Sequence, residues 1–271
     1  MNIGNTIMTK RKELGLTQQA LADKLHVSFQ AVSKWENGTS YPEIDLLPVI
    51  ANILHTSSDA LLGYEFKTHG YYDERYKEDE YFWGLQPNET CYDIMRMKAP
   101  VKPLKVLDIG CGEGKDAVFF AKNGYQVTAF DLSNDGIEKG KRLAEKCGTY
   151  VDFFQADLND YRLSENFDII FSSGVFDYMK PELRESIIDN LKEHTNEGGL
   201  NAIKVFVNKP FIEVSDNKKK TYRYSWKSGE IFSYYHDWLI SAMDEVIYDC
   251  NSGGVPHKHC IDIMIANKYT G

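Results

Sequence analysis

The spacing of apolar residues changes once along the chain. Over residues 1–63, apolar positions recur every three or four residues in short segments separated by brief turns, and no strand pattern is evident. Over residues 101–207, apolar and β-branched runs alternate with helical stretches, which is the pattern of a parallel sheet flanked by helices. We therefore expect an all-helical domain followed by an α/β domain.

Within the helical part, residues 17–38 predict two helices joined by a tight turn. Thr17 is placed to cap the first helix and Ser28 the second, and Asn37-Gly38 ends the pair. Two short helices joined in this way are typical of a helix-turn-helix, whose second helix enters the major groove of DNA.

The second of these helices has a polar face that suits DNA contact. A Gln side chain pairs with adenine, a Phe ring touches the thymine methyl, and Lys binds phosphate or guanine. A Gln at the start of the preceding helix is placed for a phosphate. The predicted DNA-contacting residues are Gln18, Ser28, Phe29, Gln30, Ser33 and Lys34.

The stretches TQQALA, VSFQAVSKWENG, YPEIDLLPVIANIL and SSDALLG resemble the lambda-repressor/Cro-like (XRE) family over residues 2–63. The resemblance implies a five-helix DNA-binding domain, although His26 replaces the usual Gly and Phe29 a common polar residue. Residues 1–64 carry a net charge of −1, so the alternative is a module for dimerisation or protein contact. One such unit covers about half a DNA site, which predicts a homodimer on a pseudo-palindrome.

The α/β part opens with VLDIGCGEG, a strand that runs into a glycine-rich turn and then a helix from about Lys115. Gly110, Gly112 and Gly114 let the backbone turn sharply and approach a ligand closely. The spacing is GxGxG, whereas a dinucleotide fingerprint is GxGxxG. The turn therefore indicates a nucleotide-type ligand, and an NAD site is the less favoured reading.

Three aspartates follow successive strands of the predicted sheet. Asp108 lies just before the turn, where a carboxylate disfavours pyrophosphate and suits a cationic amino-acid ligand. Asp131 ends the next strand and is placed for two ribose hydroxyls. Asp157 follows the third strand, where it can accept from an adenine amino group.

Over roughly residues 72–268, these features resemble the class I S-adenosylmethionine-dependent methyltransferases. The resemblance implies a Rossmann-like domain with a mostly parallel seven-stranded sheet and S-adenosyl-L-methionine as cofactor. It places the loop at the methionine end, Asp131 at the ribose and Asp157 at the adenine. The cofactor-binding residues expected from it are Asp108, Gly110, Cys111, Gly112, Asp131, Leu132, Asp157, Leu158 and Ser173.

The tail resembles a narrower group, the tellurite-resistance (TehB-like) methyltransferases. SGEIFSYYHDWLI and the stretch that follows it predict a helix and a closing antiparallel hairpin. That group carries a His-Arg pair and a second Arg in the hairpin, suited to an oxyanion. This chain has Tyr248-Asp249 and Pro256 at those places, so the resemblance does not extend to tellurite as the substrate.

The methyl acceptor is expected to be a small molecule rather than a nucleobase. Residues 172–176 read SSGVF and lack the (D/N/S)PP(Y/F/W) element that holds a flipped base for amine methylation. Aromatic side chains are expected to line the acceptor pocket and to stabilise the cationic sulfonium. The pocket residues are Tyr72, Trp83 and Phe176, and the catalytic candidates are Tyr76, Tyr178 and His257.

No metal site is favoured. Cys250 and Cys260 flank the predicted hairpin that holds His257 and His259, so a soft metal or metalloid contact is the alternative. His259 and Cys260 are adjacent on a predicted strand and so point to opposite faces of the sheet. The five cysteines form neither a disulfide framework nor a zinc CxxC pair, which favours a reducing cytoplasm. No apolar run approaches the ~20 residues of a membrane span, and the N-terminus lacks the apolar stretch of a signal peptide.

The predicted organisation is a DNA-binding domain at 1–64, a linker with an aromatic capping segment at 65–86, and a methyltransferase domain at 87–271. The net charge of −9 leaves room for only a local DNA-binding patch. The function expected is methylation of a small molecule, joined to sequence-specific DNA binding and transcription regulation. The alternative is a regulator whose methyltransferase-like domain only senses S-adenosylmethionine or another effector.

Overall fold

The computed structural model describes residues 3–54, 56, 58–62, 71–212, 224–250 and 256–269. The part of the chain before residue 63 forms five α-helices and one 3-10 turn, Ile44–Leu46, as the periodicity predicts. The five helices are α1 Ile3–Glu13, α2 Gln18–Lys24, α3 Phe29–Glu36, α4 Leu47–Ile53 and α5 Ser58–Leu61.

The predicted caps of the helix-turn-helix are present. The Thr17 hydroxyl accepts from the Ala20 N–H at 3.0 Å, and the Ser28 hydroxyl accepts from the Ala31 N–H at 3.2 Å. The turn between α2 and α3 contains His26 at φ 53, the only non-glycine residue with a positive φ in the described part of the chain. This left-handed conformation is the one expected where the XRE family usually has Gly.

The second domain is built on a seven-stranded sheet in the order β3-β2-β1-β4-β5-β7-β6. The pairings among β1 to β5 are parallel, and β7 runs antiparallel to both β5 and β6. The strands are β1 Lys105–Ile109, β2 Gln126–Asp131, β3 Asp152–Gln155, β4 Phe167–Ser173, β5 Thr195–Val207, β6 Leu239–Cys250 and β7 His257–Asn267. The prediction of a mostly parallel seven-stranded sheet is confirmed.

Six α-helices accompany this sheet among the described residues: α6 Tyr71–Tyr76, α7 Glu89–Met97, α8 Lys115–Lys122, α9 Asn134–Lys146, α10 Arg184–Glu193 and α11 Glu230–Ser233. Apolar side chains fill both faces of the sheet, with Phe120 and Phe171 in one core and Phe176 and Trp226 in the other. Because β1 to β5 are parallel, their carboxyl ends meet at one edge, where an open α/β sheet binds its ligands. Within the described residues, no helix has both the length and the apolar character needed to cross a bilayer.

Candidate cofactor site and DNA-contact face

The glycine-rich turn between β1 and α8 is held by hydrogen bonds to β2. The N–H groups of Gly110 and Cys111 donate to the carbonyl oxygen of Phe130 at 2.8 and 3.0 Å. The N–H of Gly112 donates to Oδ2 of Asp131 at 2.9 Å. Gly110 and Gly112 have φ values of 70 and 53, so the turn uses a backbone conformation that glycine adopts without strain.

Asp131 is the acceptor that anchors this turn. Its Oδ1 also accepts from the N–H of Ser133 at 2.9 Å. Burial raises the pKa of Asp131 to about 6, although the hydrogen bonds from Ser133 and Gly112 favour the ionised form. A carboxylate offers about four acceptor positions, so Asp131 retains capacity for the two ribose hydroxyls that the sequence assigns to it.

Asp108 is buried at the end of β1 and has an unsatisfied oxygen. Among the described residues, no hydrogen-bond donor reaches its Oδ2. Burial, followed by the negative charge of Asp116, raises the pKa of Asp108 well above its ordinary value. A cationic partner close to a buried carboxyl favours its ionised form and so offsets the cost of burial. The residues present therefore fit the ammonium group of an S-adenosylmethionine methionine end.

The predicted adenine side of the site is less enclosed. Oδ1 of Asp157 accepts from the backbone N–H and the side-chain amide of Asn159, at 2.8 and 3.0 Å. Leu158 is buried in the core beneath the sheet edge, whereas Leu132 is 40% exposed. Their contact with an adenine ring remains a prediction.

Cys111 stands within the glycine turn, and Ser173 ends β4. Burial raises the pKa of the Cys111 thiol well above its ordinary value, so the thiol stays neutral. Cys111 contributes to the turn through its backbone N–H. The Ser173 hydroxyl accepts from the amide of Asn88 at 2.8 Å, and the Asn88 oxygen accepts from Nζ of Lys204. Burial lowers the pKa of Lys204. Sequence reasoning missed Asn88 and Lys204, because their distance along the chain gives no sign of their contact.

Aromatic residues preceding the sheet form a cluster over the glycine turn, which we call the aromatic cap and define as Tyr72, Tyr76, Phe82 and Trp83. Ring centroids of Tyr72 lie 5.9 Å from Tyr76 and 5.3 Å from Trp83. Oη of Tyr76 accepts from Nε1 of Trp83 at 2.8 Å, and a Cβ added at Gly112 would meet that Oη at 2.9 Å. The predicted pocket residues Tyr72 and Trp83 therefore come together beside the cofactor loop, with the catalytic candidate Tyr76 between them and the turn.

A buried ion pair fastens the aromatic cap to the second domain. The two carboxylate oxygens of Glu113 accept from the N–H groups of Phe82 and Trp83, each at 3.1 Å. Nζ of Lys139 lies 2.6 Å from Glu113 and donates to the carbonyl oxygen of Glu78 at 2.7 Å. Glu113 stands in the glycine turn. Its position in the sequence gave no sign that its side chain would bind the backbone of the aromatic cap.

Three of the predicted residues lie away from the cap. Phe176 is fully buried in the hydrophobic core, and its carbonyl oxygen accepts from the Trp226 indole at 3.1 Å. The short turn Phe176–Tyr178 places the Phe176 ring among core residues, and a contact of this ring with the acceptor stays a prediction. Tyr178 is half-buried in that turn. His257 is the first residue of β7, in the hairpin with β6.

The hairpin of β6 and β7 brings His257 together with His259 and Cys250. Their ligating atoms all lie within 4.8 Å of one another. Cys260 belongs to the core on the other side of the sheet, as the alternation along the strand predicts. The sequence could not show that Cys250, rather than Cys260, joins the histidines, because this depends on the register of the hairpin.

In the first domain, α3 presents the predicted DNA-contacting side chains. Phe29, Gln30 and Lys34 are exposed, and Ser33 is half-buried. The Ser33 hydroxyl accepts from the side-chain amide of Asn37 at 3.4 Å. The face opposite is in the core, where Val32 and Trp35 pack.

Arg11 and Gln18 share one buried carboxylate, that of Glu36. Arg11 forms a buried two-bond pair with Glu36, at 2.6 and 2.8 Å. The amide nitrogen of Gln18 donates to the same Glu36 carboxylate at 2.7 Å. Burial alone raises the pKa of Glu36, and the hydrogen bonds from Arg11 and Gln18 outweigh it and hold the pKa below its ordinary value. Arg11 is thus a structural residue. The half-buried Gln18 side chain donates to the same Glu36 carboxylate, and its contact with a phosphate stays a prediction.

The fold, the glycine turn and the three aspartates define a class I S-adenosylmethionine-dependent methyltransferase domain, preceded by a helix-turn-helix domain. A family model described as "Tellurite resistance protein TehB" matches residues 70–255, and one described as "Helix-turn-helix" matches residues 7–61. The chain belongs to the TehB family, and the predictions of a methyltransferase and of its cofactor are confirmed at this level.

Known proteins agree with this assignment. The "Probable S-adenosyl-L-methionine-dependent methyltransferase TehB" of Haemophilus influenzae is 29% identical over 197 residues, which cover 71% of this chain and 67% of the relative. The crystal structure of TehB from Haemophilus influenzae matches with a TM-score of 0.59 and 27% identity, covering 73% of this chain and 66% of that one. The match thus spans about two thirds of the length of each relative.

A more distant structure shares the fold. The crystal structure of magnesium protoporphyrin IX methyltransferase from Synechocystis PCC 6803, with bound SAH, matches with a TM-score of 0.53 and 18% identity. It covers 73% of this chain and 96% of that chain.

Proposed function

We propose that the second domain transfers a methyl group from S-adenosylmethionine to a small molecule, and that the first domain binds DNA sequence-specifically. The observation that supports the first half most strongly is the pair Asp108 and Asp131 at the glycine turn. One buried carboxyl lacks a donor at Oδ2 within the described residues, and the other already orders the turn. The acceptor is a small molecule because the aromatic cap lies directly over this turn.

In this reaction the chain's own residues would bind the cofactor, exclude water and stabilise the sulfonium charge. When bound, the cofactor supplies an electrophilic methyl group on a sulfonium. Asp108 would neutralise the ammonium group, and Asp131 would accept from the ribose hydroxyls. The aromatic cap would exclude water, and the ring faces would stabilise the sulfonium cation. The Tyr76 phenol stays neutral, because burial, and then the charge of Asp131, raises its pKa well above the ordinary value.

We propose that Lys204 acts as the general base. Its neutral amine would accept the proton that the acceptor carries on its nucleophilic atom. Lys204 lies on β5 beside Ser173 of β4, at the carboxyl edge of the sheet. Its pKa is lowered by burial, which brings the neutral amine closer to working pH. Lys204→Met is expected to flatten the alkaline-side pH profile of turnover while leaving cofactor affinity unchanged.

The test of methyl transfer uses methyl-labelled S-adenosylmethionine and a panel of thiols, amines, tellurite and selenite. Label in a small-molecule product supports the enzyme. Tight cofactor binding without any labelled product supports the alternative, a regulator that senses the cofactor. Absence of cofactor binding contradicts both.

The DNA half of the proposal rests on the exposed face of α3. Gln30 and Lys34 are exposed on a capped helix, the arrangement with which a recognition helix contacts base edges and phosphates. We propose a homodimer on a pseudo-palindrome and a role in transcription regulation in the cytoplasm. Selection from a random oligonucleotide pool at low salt tests this, and no enriched sequence would leave residues 2–63 as a protein-contact module.

A further inference from the structure

The hairpin of β6 and β7 carries a cluster of soft ligand atoms outside the glycine-rich turn between β1 and α8. Cys250, the last residue of β6, pairs with His257, the first residue of β7. His257 and His259 are two residues apart on one strand and therefore project from the same face. All three side chains meet there, with their ligating atoms within 4.8 Å of one another.

The spacing of these atoms is close to that of a metal site. The two imidazole Nε2 atoms lie 2.9 Å apart. Zinc–nitrogen bonds of about 2.0–2.1 Å place two tetrahedral ligands about 3.3 Å apart. The two ring nitrogens would have to separate by a few tenths of an ångström to share one ion. Sγ of Cys250, which lies within 4.8 Å of them, would have to stand at about 3.6 Å.

The surroundings hold the histidines in this orientation. His259 is 6% exposed, and its ring lies between that of Phe206, 4.8 Å away, and that of Tyr248, 5.5 Å away. Asp249, the neighbour of Cys250 on β6, is paired with Lys258 at 2.7 Å. Within the described residues the cluster offers one sulfur and the nitrogens of two imidazoles, a set that suits borderline and soft ions and disfavours magnesium and calcium.

We propose that Cys250, His257 and His259 bind a borderline divalent cation of the zinc type. Three protein ligands leave one coordination position open, as in zinc sites that hold a water or a substrate. The site lies at the same edge of the sheet as the cofactor loop, because β7 begins where β5 ends. Phe206 connects the two regions, since it contacts His259 and also packs where a Cβ of Gly174 would lie, at 2.9 Å.

Cobalt(II) is the probe, because a thiolate–cobalt bond gives a charge-transfer absorption in the near ultraviolet. The full chain is titrated with cobalt(II) under reducing conditions and then with zinc(II). We expect one ion per chain, the thiolate band, and loss of the band when zinc displaces cobalt. Cys250→Ser is expected to abolish the band, and His257→Gln and His259→Gln to weaken binding by at least about tenfold.

Matched controls use residues of the same types elsewhere. Cys147 ends α9 and His236 is exposed, so Cys147→Ser and His236→Gln are expected to leave the band and the affinity unchanged. Circular dichroism and cofactor affinity establish that each variant is folded. A band that survives Cys250→Ser, or an affinity unchanged in all three ligand variants, overturns the proposal.

A second measurement needs no variant. Zinc(II) is expected to slow the alkylation of Cys250 by iodoacetamide by at least about tenfold, as measured by peptide mass, while the rate at Cys147 stays the same. Equal rates at Cys250 with and without zinc would also overturn the proposal. Neither measurement depends on methyl transfer, so the metal site and the proposed function stand or fall separately.

Discussion

The DNA-contact face and the cofactor loop are built in opposite ways. The face of α3 consists of exposed side chains within eight consecutive residues, and each can change without disturbing the backbone. The cofactor loop consists of backbone groups and buried carboxyls drawn from β1, β2 and the turn between them. We conclude that substitutions in the loop cost folding free energy, whereas substitutions on α3 cost only binding.

The largest effect is expected from Gly110→Ala. An added Cβ would lie 2.1 Å from Cγ2 of Val175, at a φ of 70. Overpacking and the left-handed backbone together should lower the free energy of unfolding by about 2–5 kcal/mol. Gly148→Ala is the control, because Gly148 has a φ of 64 but nothing within 4 Å of the added Cβ. Chemical denaturation that gives equal losses for both variants would show that the loop is not tightly packed.

The raised pKa of Asp131 should make stability depend on pH. Its pKa is about 6 in the folded chain against an ordinary value of 3.8, so the folded state binds more protons between these values. Stability must then fall as pH rises through this window, by up to about 3 kcal/mol at about 1.4 kcal/mol per pH unit. Asp108, whose pKa is also raised, adds to the same trend.

Chemical denaturation of the ligand-free chain across this window checks the effect of Asp131. We expect the wild-type chain to lose more stability with rising pH than Asp131→Asn, which cannot titrate. Parallel curves for the two proteins would mean that the carboxyl is ionised and solvated, contrary to its burial.

On the DNA-contact face, Gln30→Ala should cost about 1–3 kcal/mol on a selected site and little on random DNA. Lys34→Ala should weaken binding to all sequences and reduce the salt slope by about 1. Neither variant should change the unfolding free energy, since both side chains are exposed. Salt-titrated binding assays measure both effects on DNA affinity. A lower unfolding free energy in either variant would contradict the contrast between the α3 face and the cofactor loop.

The smallest effect concerns the turn between α2 and α3. His26 adopts a φ of 53, a conformation that costs a side chain about 1–2 kcal/mol. His26→Gly should relieve this strain. Because glycine also makes the unfolded chain more flexible, part of this gain is offset, and we expect a net stabilisation of the domain by about 0.5–1 kcal/mol. His26→Ala keeps the strain and is the control. Thermal unfolding in which the two variants behave alike would show that the turn is unstrained.

The same contrast explains what could be predicted from the sequence. Caps such as Thr17 and Ser28, the strands, and the aspartates after them follow from spacing within a few residues. The Asn88–Lys204 contact and the Glu113–Lys139 pair join residues distant in sequence and depend on how helices pack on the sheet. The pairing of Cys250 with His257 depends on strand register, which a short apolar pattern does not specify.

The burial of a side chain also could not be predicted from the spacing of residues along the sequence. Phe176 follows β4 and has the residue type of a pocket wall, but its ring lies in the core. Arg11 stands between two lysines in the last turn of α1, but Glu36 holds its side chain inside the first domain. In both cases the competing structural role was visible only once the neighbouring elements were in place.

The role of Asp131 in the cofactor site can be measured most directly by calorimetric titration of the full chain with S-adenosylmethionine. Asp131→Ala should weaken binding by about 1.5–3 kcal/mol, the scale of a charge-assisted hydrogen bond. Asp189→Ala, at an exposed position on α10, should leave the affinity unchanged. Equal affinity in a folded Asp131→Ala variant would contradict the assignment of this carboxylate to the cofactor.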